Sequence, residues 1–146
     1  MAVKPIPEGY HSVTPYLVVK NAAGLIDFMK QALGAEETFR MPGPGGAIRH
    51  AEMRIGDSLV MLADAAGAEN PPMPAMIHLY VPDADGLYKR ALQLGATSLR
   101  EPADQFYGDR SAGVKDAFGN HWWLATHVED VSPEEMERRQ QAMQAQ

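Results

Sequence analysis

A chain of 146 residues has room for one well-buried core and reads as a single domain over residues 1–146. Its formal charge of -6, with no Lys/Arg cluster, argues against a nucleic-acid partner, and no apolar run of 18 residues is present to span a membrane. It has no cysteine, hence no disulfide framework or thiolate chemistry, and its first residues lack the apolar core of a signal peptide; both features fit a cytoplasmic location.

Taken in chain order, an alternating pattern predicts a first strand over 13–20. Asn21 then caps a helix whose Leu25, Phe28, Met29 and Leu33 fall on one face, and Gly34 ends it. Strands follow over 37–41, 48–54 and 58–63, with a loop at 42–46, and a linker occupies 65–74. The same order then returns. A strand over 76–81 leads to Asp83, which caps a helix presenting Leu87, Ala91 and Leu94 before Gly95, and strands follow over 97–101, 112–116 and 121–127. Ser132, Pro133 and Glu135 stand at N-cap, N1 and N3 of a last helix over about 133–144, the pattern of a capping box.

The two halves are copies. Leu17-Val18-Val19-Lys20-Asn21-Ala22-Ala23-Gly24-Leu25 returns as Leu79-Tyr80-Val81-Pro82-Asp83-Ala84-Asp85-Gly86-Leu87, and Met61-Leu62-Ala63-Asp64 as Trp123-Leu124-Ala125-Thr126, at an offset of about 61 to 62 residues. The expected architecture is α+β: tandem βαβββ units, about 10–64 and 75–127, forming a curved sheet around a cavity, with an extra C-terminal helix. Strand alternation sorts the side chains into two faces. Ile77, Leu79 and Val81, or Ala51, Met53 and Ile55, form an aliphatic face for the helices. The other face collects Thr14, Tyr16 and Val18; Ile48, His50, Glu52 and Arg54; Met76, His78 and Tyr80; and His121, Trp123 and His127. So many large amphipathic groups on one face suit a lined cavity, against the plainer alternative of a half-exposed sheet. Trp123 is expected in the cavity and Trp122 in the helix-packed core.

Paired units of this kind resemble the vicinal oxygen chelate superfamily, which includes glyoxalase I, extradiol dioxygenases and bleomycin-binding proteins. His50-Ala51-Glu52-Met53-Arg54-Ile55-Gly56-Asp57-Ser58 and Asp116-Ala117-Phe118-Gly119-Asn120-His121-Trp122 are most similar to its PhnB-like branch. The resemblance implies a homodimer with two equivalent sites. It also implies four metal-ligand positions, which here hold Thr14, Met61, Met76 and Trp123. Those residues cannot complete a site for a hard or borderline divalent metal, so no metal and no other cofactor is expected.

Other groups could carry chemistry. His50, Glu52, His78 and His121 form a conceivable relocated metal set, although lone histidines on sheets more often bond a neighbour. Glu52 and His78 could act as an acid–base pair, Glu52 raised by its apolar surroundings; the alternative is a structural ion pair of Glu52 with Arg54 or Arg110. Tyr107 could stack on a planar ligand and Arg110 pair with an acidic group, unless both belong to a simple turn. The residues expected to bind ligand are Thr14, Tyr16, His50, Met61, Met76, Tyr80, Tyr107, Arg110, His121 and Trp123. The leading functional expectation is a metal-free small-molecule binding protein that sequesters an aromatic or antibiotic-like compound. The alternative is a glyoxalase-like lyase, isomerase or transferase.

Overall fold

The computed structural model describes residues 2–145. Unit one comprises β1 (Tyr16–Val19), α1 (Ala22–Leu33), β2 (Glu36–Pro42), β3 (Ile48–Ile55) and β4 (Ser58–Asp64). Unit two comprises β5 (Met76–Tyr80), α2 (Ala84–Gln93), β6 (Thr97–Asp104), β7 (Asp109–Lys115) and β8 (His121–His127), and α3 (Pro133–Gln144) follows. Each unit forms its own open four-stranded sheet, in the orders β1-β4-β3-β2 and β5-β8-β7-β6, with the first strand parallel to the last. The architecture is the expected α+β tandem. The two sheets remain separate hydrogen-bonded ladders rather than one continuous sheet.

The duplication extends to the bonds that start each helix. Asn21 and Asp83 accept the Gly24 and Gly86 N–H groups at 3.0 Å, so both N-caps form as their side chains allow. Asp64, at the end of β4, accepts the Ala22 N–H at 2.9 Å; its counterpart Thr126 accepts the Ala84 N–H at 2.9 Å. The repeated tetrapeptide thus ends in the residue that ties the last strand to its helix. Gly34 closes α1 at φ 68°, a left-handed conformation that costs glycine little.

Both helices cover the aliphatic faces and share one core. Leu17, Val19, Leu25, Ile26, Met29, Met53 and Leu62 are fully or almost fully buried in unit one, as are Ala91, Val114, Trp122 and Leu124 in unit two. Asp116 organises the turn before β8. Its carboxylate accepts the Phe118 and Asn120 N–H groups, the Asn120 side-chain amide and, at 2.8 Å, the Trp122 Nε1–H. A buried carboxylate with four donors is satisfied, and it fixes the Trp122 ring in place.

Several boundaries differ from expectation. β1 is shorter than 13–20, so Thr14 and Pro15 precede the strand. β6 and β7 run closer to their turn than expected, and β6 tolerates Pro102 because it is an edge strand with a bulge between Arg100 and Ala103. Ile48 is fully buried in the core instead of sharing a face with His50, because the register slips between Met41 and Pro42. In α3, Ser132 accepts the Glu135 N–H, but the Glu135 carboxylate turns to Arg138 instead of completing the capping box. No helix among the described residues is long and apolar enough to cross a membrane.

Trp122→Ala should cost about 3–5 kcal/mol in urea unfolding, and Trp123→Ala clearly less. Trp122→Phe should cost about 1–2 kcal/mol, since it keeps an aromatic ring and removes one donor from Asp116. A larger loss for Trp123→Ala than for Trp122→Ala would put the strand faces one residue out of register.

Candidate functional site

The pairing registers lay one row of side chains across the open face of each sheet. In unit two the row is His78, Trp123, Gly113 and Arg100, on β5, β8, β7 and β6. In unit one it is Tyr16, Met61, Glu52 and Phe39, on β1, β4, β3 and β2. The rows occupy corresponding places in the two copies, yet their chemistry has diverged.

Unit one has a hollow of about 360 Å³ beside Tyr10, Phe39, Glu52 and Arg54, and unit two a cavity built around Trp123. Gly113 has no side chain, and a Cβ there would overlap the Trp123 ring. Its φ is not in the left-handed region, so the constraint on this position is the indole and not the backbone. Across the gap, the Arg100 guanidinium lies 4.9 Å from the Trp123 ring centroid and donates to Ser111 Oγ at 2.9 Å. Arg100, Trp123, His78, Tyr107 and Ser111 together line a cavity of about 210 Å³. Tyr107 reaches it from the β6–β7 turn, with its ring 5.3 Å from Phe106. A larger hollow of about 530 Å³ lies where the units meet, along β5 and the β3–β4 turn. Its lining combines aliphatic side chains with Asp57, Ser58, His78 and Tyr80, and it shares His78 with the smaller cavity.

Beside the cavity runs a hydrogen-bonded chain. The buried Asp109 accepts the Tyr80 hydroxyl at 2.8 Å and pairs with His127 Nδ1 at 2.8 Å, and His127 Nε2 meets Asp130 at 2.7 Å. Burial pushes Asp109 up, but the bonds from His127 and Tyr80 outweigh it and hold the carboxyl below its usual range. Bonds to Asp109 and then Asp130 raise His127. Tyr80 packs edge-on against His78, with centroids 5.0 Å apart, so this chain supports the wall of the cavity.

Unit one gathers a different set. The Tyr16 hydroxyl lies 2.9 Å from His50 Nδ1, and His50 Nε2 lies 2.9 Å from Glu52 Oε2. With Nε2 protonated toward the carboxylate, Nδ1 accepts the phenol proton. The Tyr10 hydroxyl is buried without a partner of hydrogen-bonding geometry. Burial first, and the nearby Glu52 carboxylate second, push Tyr10 up to about 12. Tyr10 and then the His50 bond hold Glu52 below its usual range, against its burial.

The structure thus rearranges several expected sites. Tyr107, Trp123 and His78 meet in one cavity, and Tyr16, His50 and Glu52 meet in another place. Met61 lies in the unit-one row, while Thr14, Met76 and His121 lie outside the 210 Å³ cavity. Glu52 and His78 belong to different sheets, and Glu52 is bonded to His50, so the expected acid–base pair is not assembled. Nor is Glu52 raised; its bonding partners lower it. Arg110 turns to the helix face, where it grips both Asp85 carboxylate oxygens at 2.8 and 2.9 Å and reaches Asp104. One residue of strand register separates it from the cavity face. Among the described residues no three His, Asp or Glu side chains converge as a metal-binding group, so His50, Glu52, His78 and His121 do not form the relocated set. Arg100, Ser111 and Asp109 were not expected. Only a correct pairing of β6 with β7 would have found Arg100, and the bulge in β6 hides that pairing from alternation.

The His127 chain has a definite pH signature. A raised His127 contributes fully below its unfolded value of about 6.5 and loses that contribution as pH rises through the folded value. The lowered Asp109 contributes above the ordinary aspartate range, and its contribution is lost on acidification. His127→Asn should therefore destabilise most near about pH 6 and progressively less toward about pH 9. Denaturant midpoints of both proteins across that range check this; a gap that widens with pH would contradict it.

Comparisons with known proteins bear on the family and the fold. The chain is 41% identical over 136 residues to an uncharacterized protein of Mycobacterium bovis, covering 86% of this chain and 90% of that one. An uncharacterized protein of Mycobacterium tuberculosis is also 41% identical over 136 residues, with 86% and 80% covered. Among solved structures, TioX from Micromonospora sp. ML1 superposes with a TM-score of 0.68 at 22% identity, covering 81% of this chain and 99% of that one. The PhnB protein from Bacillus cereus gives 0.62 at 14% identity, covering 80% and 99%. A glyoxalase/bleomycin resistance protein/dioxygenase from Nocardioides gives 0.61 at 18%, covering 91% and 90%. At these identities the structural likeness speaks for the fold alone. The family model of the Glyoxalase/Bleomycin resistance protein/Dioxygenase superfamily matches residues 9–124, most of both units, and the chain belongs to that superfamily.

Proposed function

We propose that this protein is a metal-free binder of a small planar molecule, aromatic or antibiotic-like, working in the cytoplasm as a homodimer. The observation that carries the reading is the Trp123 cavity. An indole lies over a glycine, flanked by Tyr107 and His78, with Arg100 and Ser111 supplying polar contacts. That is the makeup of a ligand pocket: aromatic walls and a few placed polar groups. The four positions where this superfamily's metalloenzymes carry ligands hold Thr14, Met61, Met76 and Trp123, which supports binding without a metal. Pairing of copies is supported by β5, whose outer edge is unpaired among the described residues and whose Met76 and Tyr80 are 69% and 65% exposed.

A second reading rests on the Tyr16–His50–Glu52 chain. A carboxylate that orients a histidine, which in turn holds a phenol proton, is a proton-handling device. It favours a lyase, isomerase or transferase of the glyoxalase type. In that case Tyr16, His50 and Glu52 would replace the Glu52 and His78 pair as the working groups.

Mass spectrometry of small molecules carried through native purification should return a planar compound, and its titration should quench the tryptophan emission. Trp123→Ala should weaken that compound's binding about tenfold or more. Elemental analysis of protein purified without chelators should find no stoichiometric Zn, Ni, Fe or Mn; about one metal per chain would overturn the metal-free reading and favour the enzyme. Sedimentation should give twice the chain mass of 16.0 kDa, and a monomer at tens of micromolar would refute pairing.

A further inference from the structure

We infer that the molecule bound in the Trp123 cavity is an anion, a planar body carrying a carboxylate, sulfonate or phosphate group. This rests on the binding reading above and narrows its ligand class. The ground is a pair of cations left without partners on one face. Arg40, Arg54, Arg110, Arg138 and Arg139 each make an ion pair with a carboxylate. Arg49, Arg90 and Arg100 make none among the described residues, and of these three Arg100 is the one that lines the Trp123 cavity; its hydrogen bond goes to the neutral Ser111 hydroxyl. A guanidinium has five N–H donors in a planar fork, so most of Arg100 is unclaimed.

Lys115 repeats the pattern. It follows Gly113 by two residues on β7, shares that strand face by alternation, and stands opposite His121. It is exposed and makes no ion pair among the described residues. An acidic chain of formal charge -6 has carboxylates in excess, yet none meets these two cations. The acid that does lie on this face, Asp109, is buried, and both its oxygens are occupied by Tyr80 and His127. It therefore cannot neutralise Arg100 without losing bonds it already has. In unit one, Arg54 lines the same hollow as Glu52 but is paired with Glu36, whereas the cations on the face that holds the indole have no carboxylate partner among the described residues. A ring resting against Trp123 would bring an attached anionic group within reach of the Arg100 fork, where a charge-assisted bond forms at little ordering cost because the indole and Ser111 already hold the guanidinium.

The test is a matched pair of dyes, 1-anilinonaphthalene-8-sulfonate and the uncharged N-phenyl-1-naphthylamine, titrated at low salt with fluorescence as the readout. The full chain should bind the sulfonate about tenfold tighter than the neutral dye. Arg100→Gln should remove most of that preference and change neutral-dye binding by less than about twofold, with Lys115→Gln giving a smaller effect in the same direction. Trp123→Ala should weaken both dyes. Lys30→Gln, which removes a cation from α1 of unit one, where it pairs with Glu37, should change neither. Circular dichroism and melting temperature show whether each variant is folded. Equal affinity for the two dyes, or an Arg100→Gln variant that weakens both alike, would overturn the anionic ligand and leave the binding reading standing if Trp123→Ala still weakens both. Dye binding indifferent to Trp123→Ala would overturn the binding reading and the anion with it.

Discussion

Asp116 receives the Trp122 Nε1–H at 2.8 Å inside the core, and that bond decides which way β8 faces. With Trp122 turned inward, its neighbour must project to the opposite side of the sheet. Trp123 can lie flat there only because β7 offers Gly113 beneath it. Arg100, on the far side of the same glycine, then has an aromatic face to rest on. The cavity of unit two is thus the outward consequence of a buried hydrogen bond and a missing side chain. Neither feature belongs to a catalytic group, which is why the site reads first as a surface for holding a molecule.

Duplication supplied two equivalent faces, and the chain has used them differently. Where unit two has His78, Trp123, Gly113 and Arg100, unit one has Tyr16, Met61, Glu52 and Phe39. One row pairs an aromatic floor with free positive charge. The other holds a carboxylate and a phenol, which His50 beside the row links by hydrogen bonds. Such division is expected when two copies fold on the same helix-packed core, because the open faces are free to change without disturbing it. The helix-start bonds of Asp64 and Thr126 show the reverse case: the residue differs, but the bond to the helix remains.

The internal repeat made the fold legible, since paired strand–helix–strand–strand–strand patterns leave few arrangements. The helix ends were legible as well, because Asn21, Asp83, Ser132 and Gly34 act through local backbone geometry. Alternation correctly separated Trp122 from Trp123 and Tyr16 from Leu17. It failed at Ile48, where the register slips. Arg110, expected in the loop before the strand, stands on β7 itself, one residue out of the cavity row. The site was less legible because it depends on pairings between distant segments. His50 meets Glu52 within one strand, but Arg100 meets Trp123 only through β7, and Asp109 meets Tyr80 only through β8. Nothing in the local sequence around Arg100 announces that it lies beside an indole.

The central claim is that Trp123, and not Trp122, is the contact surface for a bound molecule. The two indole N–H groups provide a direct measurement, because a ¹⁵N-labelled sample gives two such resonances, assigned by Trp122→Phe and Trp123→Phe variants. On titration with 1-anilinonaphthalene-8-sulfonate, the Trp123 resonance should move in proportion to occupancy. The Trp122 resonance, buried and bonded to Asp116, should stay in place. Movement of Trp122 with Trp123 unchanged, or saturation of the dye with neither peak displaced, would contradict the account.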